Sequence, residues 1–287
     1  MNGPRSDPGL ALLLSLLAVL AGCSGATGFD GTPTRSVTSV PVPTDATPAS
    51  RATVPGLSPR GVENASLLAA AHARAFEDVP FTERTVTTVR DGEEVLGRQA
   101  LVVRRGPEAF ALSYALEEGP RSDARSFQVV AAEVWSDRRT TVQSVTDGDG
   151  STRRARLSNV LYDDFVDPDA RPYARTLERA SLRRVGRRVV DGTARYVFAA
   201  DDVLALPVFG LAGTIPTGNA SLRAVVGADG AVYRVAVTYP AQYRGRSATV
   251  EHVFEYADVG TTTVPRPSWY DEAIENGTPT PGYRGEG

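Results

Sequence analysis

The sequence predicts an α+β fold in which a mainly antiparallel, strongly curved sheet carries one N-terminal helix and short helical insertions. Three observations support this prediction. Apolar residues first recur with the period of a helix, and they then recur with the period of two that is typical of strands. Turn dipeptides separate the period-two runs at hairpin spacing, as at Asp91-Gly92, Asp191-Gly192 and Asp229-Gly230.

The helix is predicted from Val62 to about Phe76. Its apolar residues recur at the spacing of one helix face: Ala65, Leu68, Ala69, His72 and Phe76. Either Asn64 or Ser66 can cap the start, and Pro80 lies beyond the end.

The strands follow from alternation. One face of the first clear run carries Phe110, Leu112, Tyr114 and Leu116, and one face of the next carries Phe127, Val129, Ala131 and Trp135. Further on, Leu222–Val226 and Val232–Tyr239 form a hairpin, and Thr249–Tyr256 pairs beside it. The faces predicted for these last two strands are Tyr233, Val235, Val237 and Tyr239, and Val250, His252, Phe254 and Tyr256. Two stretches, Leu161 to about Leu177 and Val203 to Leu211, are interpreted as short helices or loops.

Residues 1–22 have the features of a secretory signal peptide. Arg5 precedes an apolar core from Leu10 to Ala21, which is too short to cross a bilayer. The core runs into Leu20-Ala21-Gly22-Cys23, which resembles the lipobox of bacterial and archaeal lipoproteins. In that motif the cysteine thiol receives a lipid and becomes the first residue after cleavage. We therefore expect lipidation at Cys23 and anchoring of the exported chain to the outer face of the cytoplasmic membrane.

Composition divides the rest of the chain. Residues 23–61 are rich in Thr, Ser and Pro and are predicted to be a flexible linker, because they cannot bury enough apolar surface to offset their ordering entropy. Residues 62–274 are predicted to form one domain, and the Gly/Pro/Thr-rich residues 275–287 a flexible tail.

Charge and residue counts narrow the classes of function. Thirty-one basic against 34 acidic residues, a net charge of −3, provide no positive field for nucleic acid. The single cysteine excludes an internal disulfide, and two histidines leave little for metal or acid–base chemistry. His72 and His252 both fall on apolar faces, so they are either a buried pH- or metal-responsive pair or two hydrogen-bonded core residues. We predict no cofactor, no metal site and no enzyme activity.

Two acidic clusters are similar to cation loops in composition only. Asp147-Gly-Asp149-Gly150 begins like a calcium loop, but Ser158 stands where the bidentate Glu should fall, so a hairpin tip is predicted. A second cluster of aspartates is predicted to be a solvated loop; it comprises Asp163, Asp164, Asp167 and Asp169. Three acceptor motifs for N-glycosylation begin at Asn64, Asn219 and Asn276, and Asn64 competes with helix capping.

The order of these features resembles a known group. The lipobox, the Thr/Pro spacer, the opening helix with His72, the long meander and the run Val259–Trp269 after the last strand resemble uncharacterised lipoproteins of halophilic archaea. Those proteins are in turn similar to the LolA/LppX group of lipid-carrier lipoproteins. The resemblance implies an antiparallel half-barrel, covered by helices, with an apolar cavity between them. Its expected lining is Phe110, Leu112, Tyr114, Tyr233, Val235, Val237, His252 and Phe254.

Three functions are therefore weighed. The first is a lipid-anchored surface protein that binds a lipid or other apolar ligand in the half-barrel. The second is a non-catalytic scaffold that holds protein partners on its exposed strands and on the arginines between Arg183 and Arg188. The third, a hydrolase, would need a serine or carboxylate near His72 or His252.

Overall fold

The structure, a computed structural model, describes residues 54–58, 60–117, 129–137, 139–157, 177, 180–203 and 211–276. Several predictions concern residues outside these ranges. They are the signal peptide, Cys23, most of the linker, Phe127, the aspartates between 163 and 169, most of both insertions and the tail after residue 276.

Within the described ranges the chain forms two helices and fourteen strands. The helices are α1 (Ala65–Phe76) and α2 (Tyr270–Asn276). The first eight strands are β1 (Leu57–Ser58), β2 (Gly61–Val62), β3 (Phe81–Asp91), β4 (Glu94–Arg105), β5 (Phe110–Glu117), β6 (Val129–Ser136), β7 (Thr141–Asp147) and β8 (Thr152–Leu157). The others are β9 (Arg183–Val190), β10 (Thr193–Val203), β11 (Thr214–Pro216), β12 (Ala220–Gly227), β13 (Val232–Tyr243) and β14 (Arg246–Ala257).

Strands β3 to β14 form one large sheet, whose order is β8-β7-β6-β5-β4-β3-β14-β13-β12-β10-β9, with β11 paired to β13. All of these pairings are antiparallel. The chain runs outward from β3 to β8, which we call the N-terminal meander, and returns from β9 to β14, the C-terminal meander. The two meanders meet where β3 pairs with β14. This open, curved antiparallel sheet confirms the predicted fold class.

Helix α1 confirms the predicted helix, with a start three residues later. Asn64 has an extended backbone (φ −148°, ψ 99°), and its side-chain oxygen accepts a hydrogen bond from the Leu67 N–H at 2.8 Å. An N-cap residue stands just outside the helix, so the helix begins at Ala65 while Val62 belongs to β2. The buried side of α1 includes all five residues predicted for it, from Ala65 to Phe76.

Alternation assigns each strand residue to one of two faces. We call the face on which α1 packs the inner face; it carries Val235 and Val237 of β13 and their partners Phe254 and His252 of β14. The prediction for β6 was wrong. Val129 lies on the inner face and Trp135 on the outer face, because the β6–β7 register shifts between Val129 and Ala131.

The main core lies on the inner face of the C-terminal meander, beneath α1. It also includes Val54 and Leu57, so the folded unit extends upstream of the boundary at residue 61. Helix α2 packs on the outer face of the N-terminal meander, where Ala273 contacts Trp135 and Val142. Each meander thus has a helix on a different face of the same sheet.

Candidate functional site

The part of the inner face with partly accessible apolar side chains lies on β4 and β5. Leu101 is the cross-strand partner of Tyr114, and Leu116 is the partner of Gln99 one step further along. Cross-strand partners lie on the same side of a sheet, so Leu101, Tyr114 and Leu116 form one surface, which we call the apolar strip. All three residues are half-buried.

Buried apolar residues of the same face flank the apolar strip. Leu101 packs against the cluster of Val103, Phe110, Leu112 and Val134. Tyr114 packs against Val129, Ala132 and Val145, and burial raises the pKa of its hydroxyl. The strip is therefore a firmly supported apolar surface and not a set of loose side chains.

The eight side chains predicted to line a cavity fall into two groups. Six of them are buried: Val235, Val237 and Phe254 in the main core, His252 on the same face of β14, and Phe110 and Leu112 in the smaller cluster around Val103. The half-buried ones are Tyr114 and Tyr233. The structure therefore places Tyr114 in the apolar strip, whereas Val235, Val237 and Phe254 contact the protein's own core.

Tyr233 lies apart from the apolar strip. The β12–β13 register shifts where Val225 pairs with Arg234 and Val226 pairs with Val232, so Tyr233 occupies a β-bulge. Its ring meets the Phe76 ring at a centroid distance of 6.0 Å, and the Arg195 guanidinium lies 3.7 Å from its centroid. Tyr233 therefore closes the edge of the core under α1.

Leu101 and Leu116 are members of the strip that the predicted lining lacked. Leu116 belongs to the predicted alternation of β5, and Leu101 lies two residues before Val103 on the same face of β4. Alternation alone could have suggested both residues. Their accessibility could not be predicted, because it depends on where α1 packs.

A polar band borders the apolar strip along the centre of the sheet. Thr85 and Thr87 of β3 face inward between Phe254 and His252 of β14 and Leu101 and Gln99 of β4. Thr87 Oγ1 and His252 Nδ1 share a hydrogen bond of 2.9 Å. Burial lowers the pKa of His252 to about 4, so its ring is neutral at neutral pH.

A second buried network joins α1 to the sheet. The Val232 N–H donates to His72 Nδ1 at 3.1 Å, which leaves the proton of a neutral ring on Nε2. His72 Nε2 then donates to the Tyr256 hydroxyl at 3.2 Å, and Tyr256 hydrogen-bonds the Glu83 carboxyl. Burial raises the pKa of Glu83 to about 7, and the Tyr256 hydrogen bond partly offsets this rise. His72 and His252 thus have different partners, and both are hydrogen-bonded core residues.

A shallow hollow of about 320 Å³ lies on the outer face, opposite the polar band. Val86 and Thr88 of β3 and Val253 of β14 form its floor, and the Arg98–Glu117 ion pair lies on its rim. Its mixed and charged lining does not match an apolar ligand.

Cation and glycan candidates have the following surroundings. Among the described residues no group of three His, Cys, Asp or Glu side chains could hold a metal ion. Asp147 instead pairs with Arg153 at 2.6 Å, and Asp149 accepts a hydrogen bond from the Ser151 N–H in a hairpin turn, which confirms the predicted hairpin tip.

Among the glycosylation candidates, Asn219 and Asn276 are exposed, whereas the Asn64 side chain caps α1. No helix in the described ranges is both long and apolar enough to cross a membrane.

Comparisons with known proteins give weak structural likenesses. No protein-family model and no curated protein matches the chain. The chain is similar to the crystal structure of LprF from Mycobacterium bovis, with 14% identity, 72% of this chain and 99% of that chain covered, and a TM-score of 0.38. For the lipoprotein LppX of Mycobacterium tuberculosis the values are 10% identity, 70% and 95% coverage, and a TM-score of 0.35. The LolA superfamily protein NE2245 of Nitrosomonas europaea has 11% identity, with 70% of this chain and 94% of that chain covered and a TM-score of 0.24. At such TM-scores, the fold class rests on this chain's own strand order and burial.

Proposed function

We propose that this protein is an exported lipoprotein, anchored through Cys23, which binds a lipid or another apolar ligand on the inner face of its N-terminal meander. The observation that carries the proposal is the apolar strip. A curved sheet that presents half-buried Leu and Tyr side chains on its inner face gains free energy when an apolar molecule covers them.

The position of α1 supports this choice of site. Helix α1 packs where β3, β13 and β14 meet, through Phe76, Phe81, Tyr233 and Tyr256. The inner face of the C-terminal meander is consequently filled by the protein itself, since Val235 is 0% and Phe254 2% exposed. A ligand that bound there would have to displace this core, whereas the apolar strip is accessible without such a change.

The polar band suits a ligand with a polar end. Gln99 and Thr85 are half-buried and lie next to the apolar strip, so their side chains can hydrogen-bond a headgroup while the strip contacts a hydrocarbon chain. An acyl-chain lipid has both parts. Anchoring at Cys23 would keep the site beside a membrane that supplies such lipids.

The ligand can be tested with two substitutions in adjacent residues. Leu101 lies on the inner face of β4, and Val102 is half-buried on the outer face. Leu101→Gln should weaken binding of a fluorescent fatty acid about 10-fold or more. The substitution replaces an aliphatic side chain that contacts the ligand by a polar amide, and the apolar contact of about one side chain is lost. Val102→Gln, the matched control, should leave the affinity within about twofold. Fluorescence titration of the purified full chain measures both.

Native mass spectrometry of gently extracted protein provides an independent readout. A bound lipid on the wild-type chain that is lost in Leu101→Gln would support the proposal. Equal affinity of both variants for the fatty acid, together with protein that emerges without any bound lipid, would overturn it. The intact mass of the extracted chain separately reports whether Cys23 carries lipid.

A further inference from the structure

Strand β9 is an edge of the large sheet among the described strands, because β10 is its pairing partner there. Its sequence is Arg-Arg-Val-Gly-Arg-Arg-Val-Val, from Arg183 to Val190. All four arginines are exposed, and so are Val185 (48%) and Val189 (62%). This edge therefore combines positive charge with accessible apolar side chains.

The charges of β9 have few carboxylate partners within the described ranges. Arg183 contacts Asp201 at 3.4 Å, and the Arg184 guanidinium stacks over the Tyr196 ring at 4.2 Å. In the described part of the chain, no carboxylate pairs with Arg184, Arg187 or Arg188.

The opposite edge of the sheet is also rich in arginine, but most of its arginines pair with carboxylates. Strand β8 also carries three arginines, at 153, 154 and 156. Arg153 pairs with Asp147, and Arg154 pairs with Glu272 of α2. Arginine content is thus common to both edges, but among the described residues the guanidinium groups of β9 have fewer carboxylate partners than those of β8.

The N-terminal segment enters the fold next to β9. A Cβ placed on Gly61 of β2 would lie 2.6 Å from the carbonyl oxygen of Leu182, the residue before β9. Val54, Leu57 and Leu182 share the same core cluster. Pro55 lies beside Gly230 in the turn between β12 and β13. The chain that leads back to Cys23 therefore joins the fold on the side of the C-terminal meander, whose edge strand is β9. Strand β8 lies ten strand spacings away along the curved sheet, a path of roughly 50 Å at about 4.8 Å per strand.

We propose that the β9 edge is the surface with which the protein rests on an anionic phospholipid membrane. The inference rests on the proposed anchoring through Cys23, which would hold this edge near the bilayer. Arg184, Arg187 and Arg188 pair with lipid phosphates, for which the planar guanidinium is well suited. Val185 and Val189 bury apolar surface among the headgroups.

Strand addition by a protein partner fits this edge less well. The β9–β10 register shifts between Val197 and Phe198, so Val185 bulges out of the ladder. Bulges and charged side chains on an edge strand oppose pairing with a further strand.

The test uses the mature chain, residues 23–287, with Cys23→Ser, so that binding depends neither on the lipid anchor nor on the apolar core of the signal peptide. Its partition onto phosphatidylcholine vesicles with and without phosphatidylglycerol is measured by co-sedimentation at low salt. We expect binding to the anionic vesicles alone. Substitution of Arg184, Arg187 and Arg188 by Gln should weaken it about 100-fold, at roughly fivefold for each arginine near an anionic surface. The matched control replaces Arg84, Arg104 and Arg156, which are also exposed, by Gln; it should change binding by less than about fivefold.

The outcomes separate this inference from the anchor. No binding of the Cys23→Ser chain to anionic vesicles, or equal losses in both triple variants, would overturn the membrane surface whatever the state of Cys23. Binding to an acidic polypeptide with none to vesicles would overturn it in favour of a protein partner. If the mass of the wild-type chain shows no lipid, the proposed anchoring through Cys23 is wrong. The binding of the Cys23→Ser chain to vesicles then still decides, by itself, whether the β9 edge binds a membrane. Urea unfolding of each variant verifies that it is folded.

Discussion

The two meanders share one continuous sheet, but their helices pack on opposite faces of it. In the C-terminal meander, α1 covers the inner face, and Val235, Val237 and Phe254 are at most 2% exposed. In the N-terminal meander, α2 covers the outer face, where Val142 is 0% and Trp135 5% exposed. The inner face there keeps its half-buried apolar strip.

The difference shows how a sheet can be stable and still offer an apolar surface. A strand with alternating side chains needs one covered face to gain stability from burial. The N-terminal meander obtains part of this burial on its outer face, through Trp135, Val142 and Ala273, and part on its inner face, in the clusters around Leu112 and Val145. The apolar strip between these inner clusters can therefore remain partly accessible without loss of the fold.

The largest expected change in the free energy of unfolding comes from truncating one buried leucine in each meander. Leu222 is 1% exposed in the main core, and Leu112 is 4% exposed in a four-residue cluster. Leu222→Ala should lower the free energy of unfolding by about 4 to 5 kcal/mol, and Leu112→Ala by about 2 to 3 kcal/mol, because the larger and more continuous core leaves a cavity that collapses less. Urea unfolding measures both. Equal losses would show that the two meanders do not differ in packing.

The next effect concerns the junction of the meanders and depends on pH. The pKa of Glu83 rises from 4.5 to about 7 on folding, so its carboxyl binds a proton more tightly in the folded protein. The resulting stabilisation is fully present below pH 4.5 and is lost as the pH rises through about 7. Between these values the free energy of unfolding should fall by about 1 to 3 kcal/mol through this group.

Glu83→Gln tests this linkage directly. The neutral amide still accepts a hydrogen bond from Tyr256 but cannot titrate, so this part of the pH dependence should disappear. Urea unfolding at a series of pH values gives the slope. Glu251→Gln, at an exposed position on β14, is the control and should retain the wild-type slope. A Glu83→Gln protein with the same slope as wild type would show that the carboxyl does not titrate in this range.

The smallest effect concerns the cover of the N-terminal meander. The Trp269 Nε1–H donates to the Glu133 carboxylate at 2.7 Å, at an exposed site next to α2. Trp269→Phe should cost less than about 1 kcal/mol of global stability, since exposed hydrogen bonds contribute little. Hydrogen exchange at the amides of α2 should nevertheless accelerate. Unchanged exchange there would mean that Trp269 does not hold α2 against the sheet.

Local patterns predicted several elements of the fold, but not β1, β2 and β11. The period of Ala65 to Phe76 predicted α1, and alternation with Asp229-Gly230 predicted the β12–β13 hairpin and β14 beside it. The bulge at Val129–Ala131 was missed, because one extra residue in a ladder leaves no distinct mark on a short apolar run. For the candidate site, alternation placed Tyr114 on the correct face, but it also selected Val235, Val237 and Phe254, which the main core contains.

The sequence by itself determined the antiparallel class and, in most strands, the side to which each residue points, because these depend on residues that are close along the chain. The tertiary structure decided which face of each meander carries a helix and which arginines pair with a carboxylate. Leu101 and Val235 have the same kind of alternating neighbourhood, and they differ because α1 docks over one meander and α2 behind the other. Such docking joins residues as distant as His72 and Tyr256, and no local period encodes it.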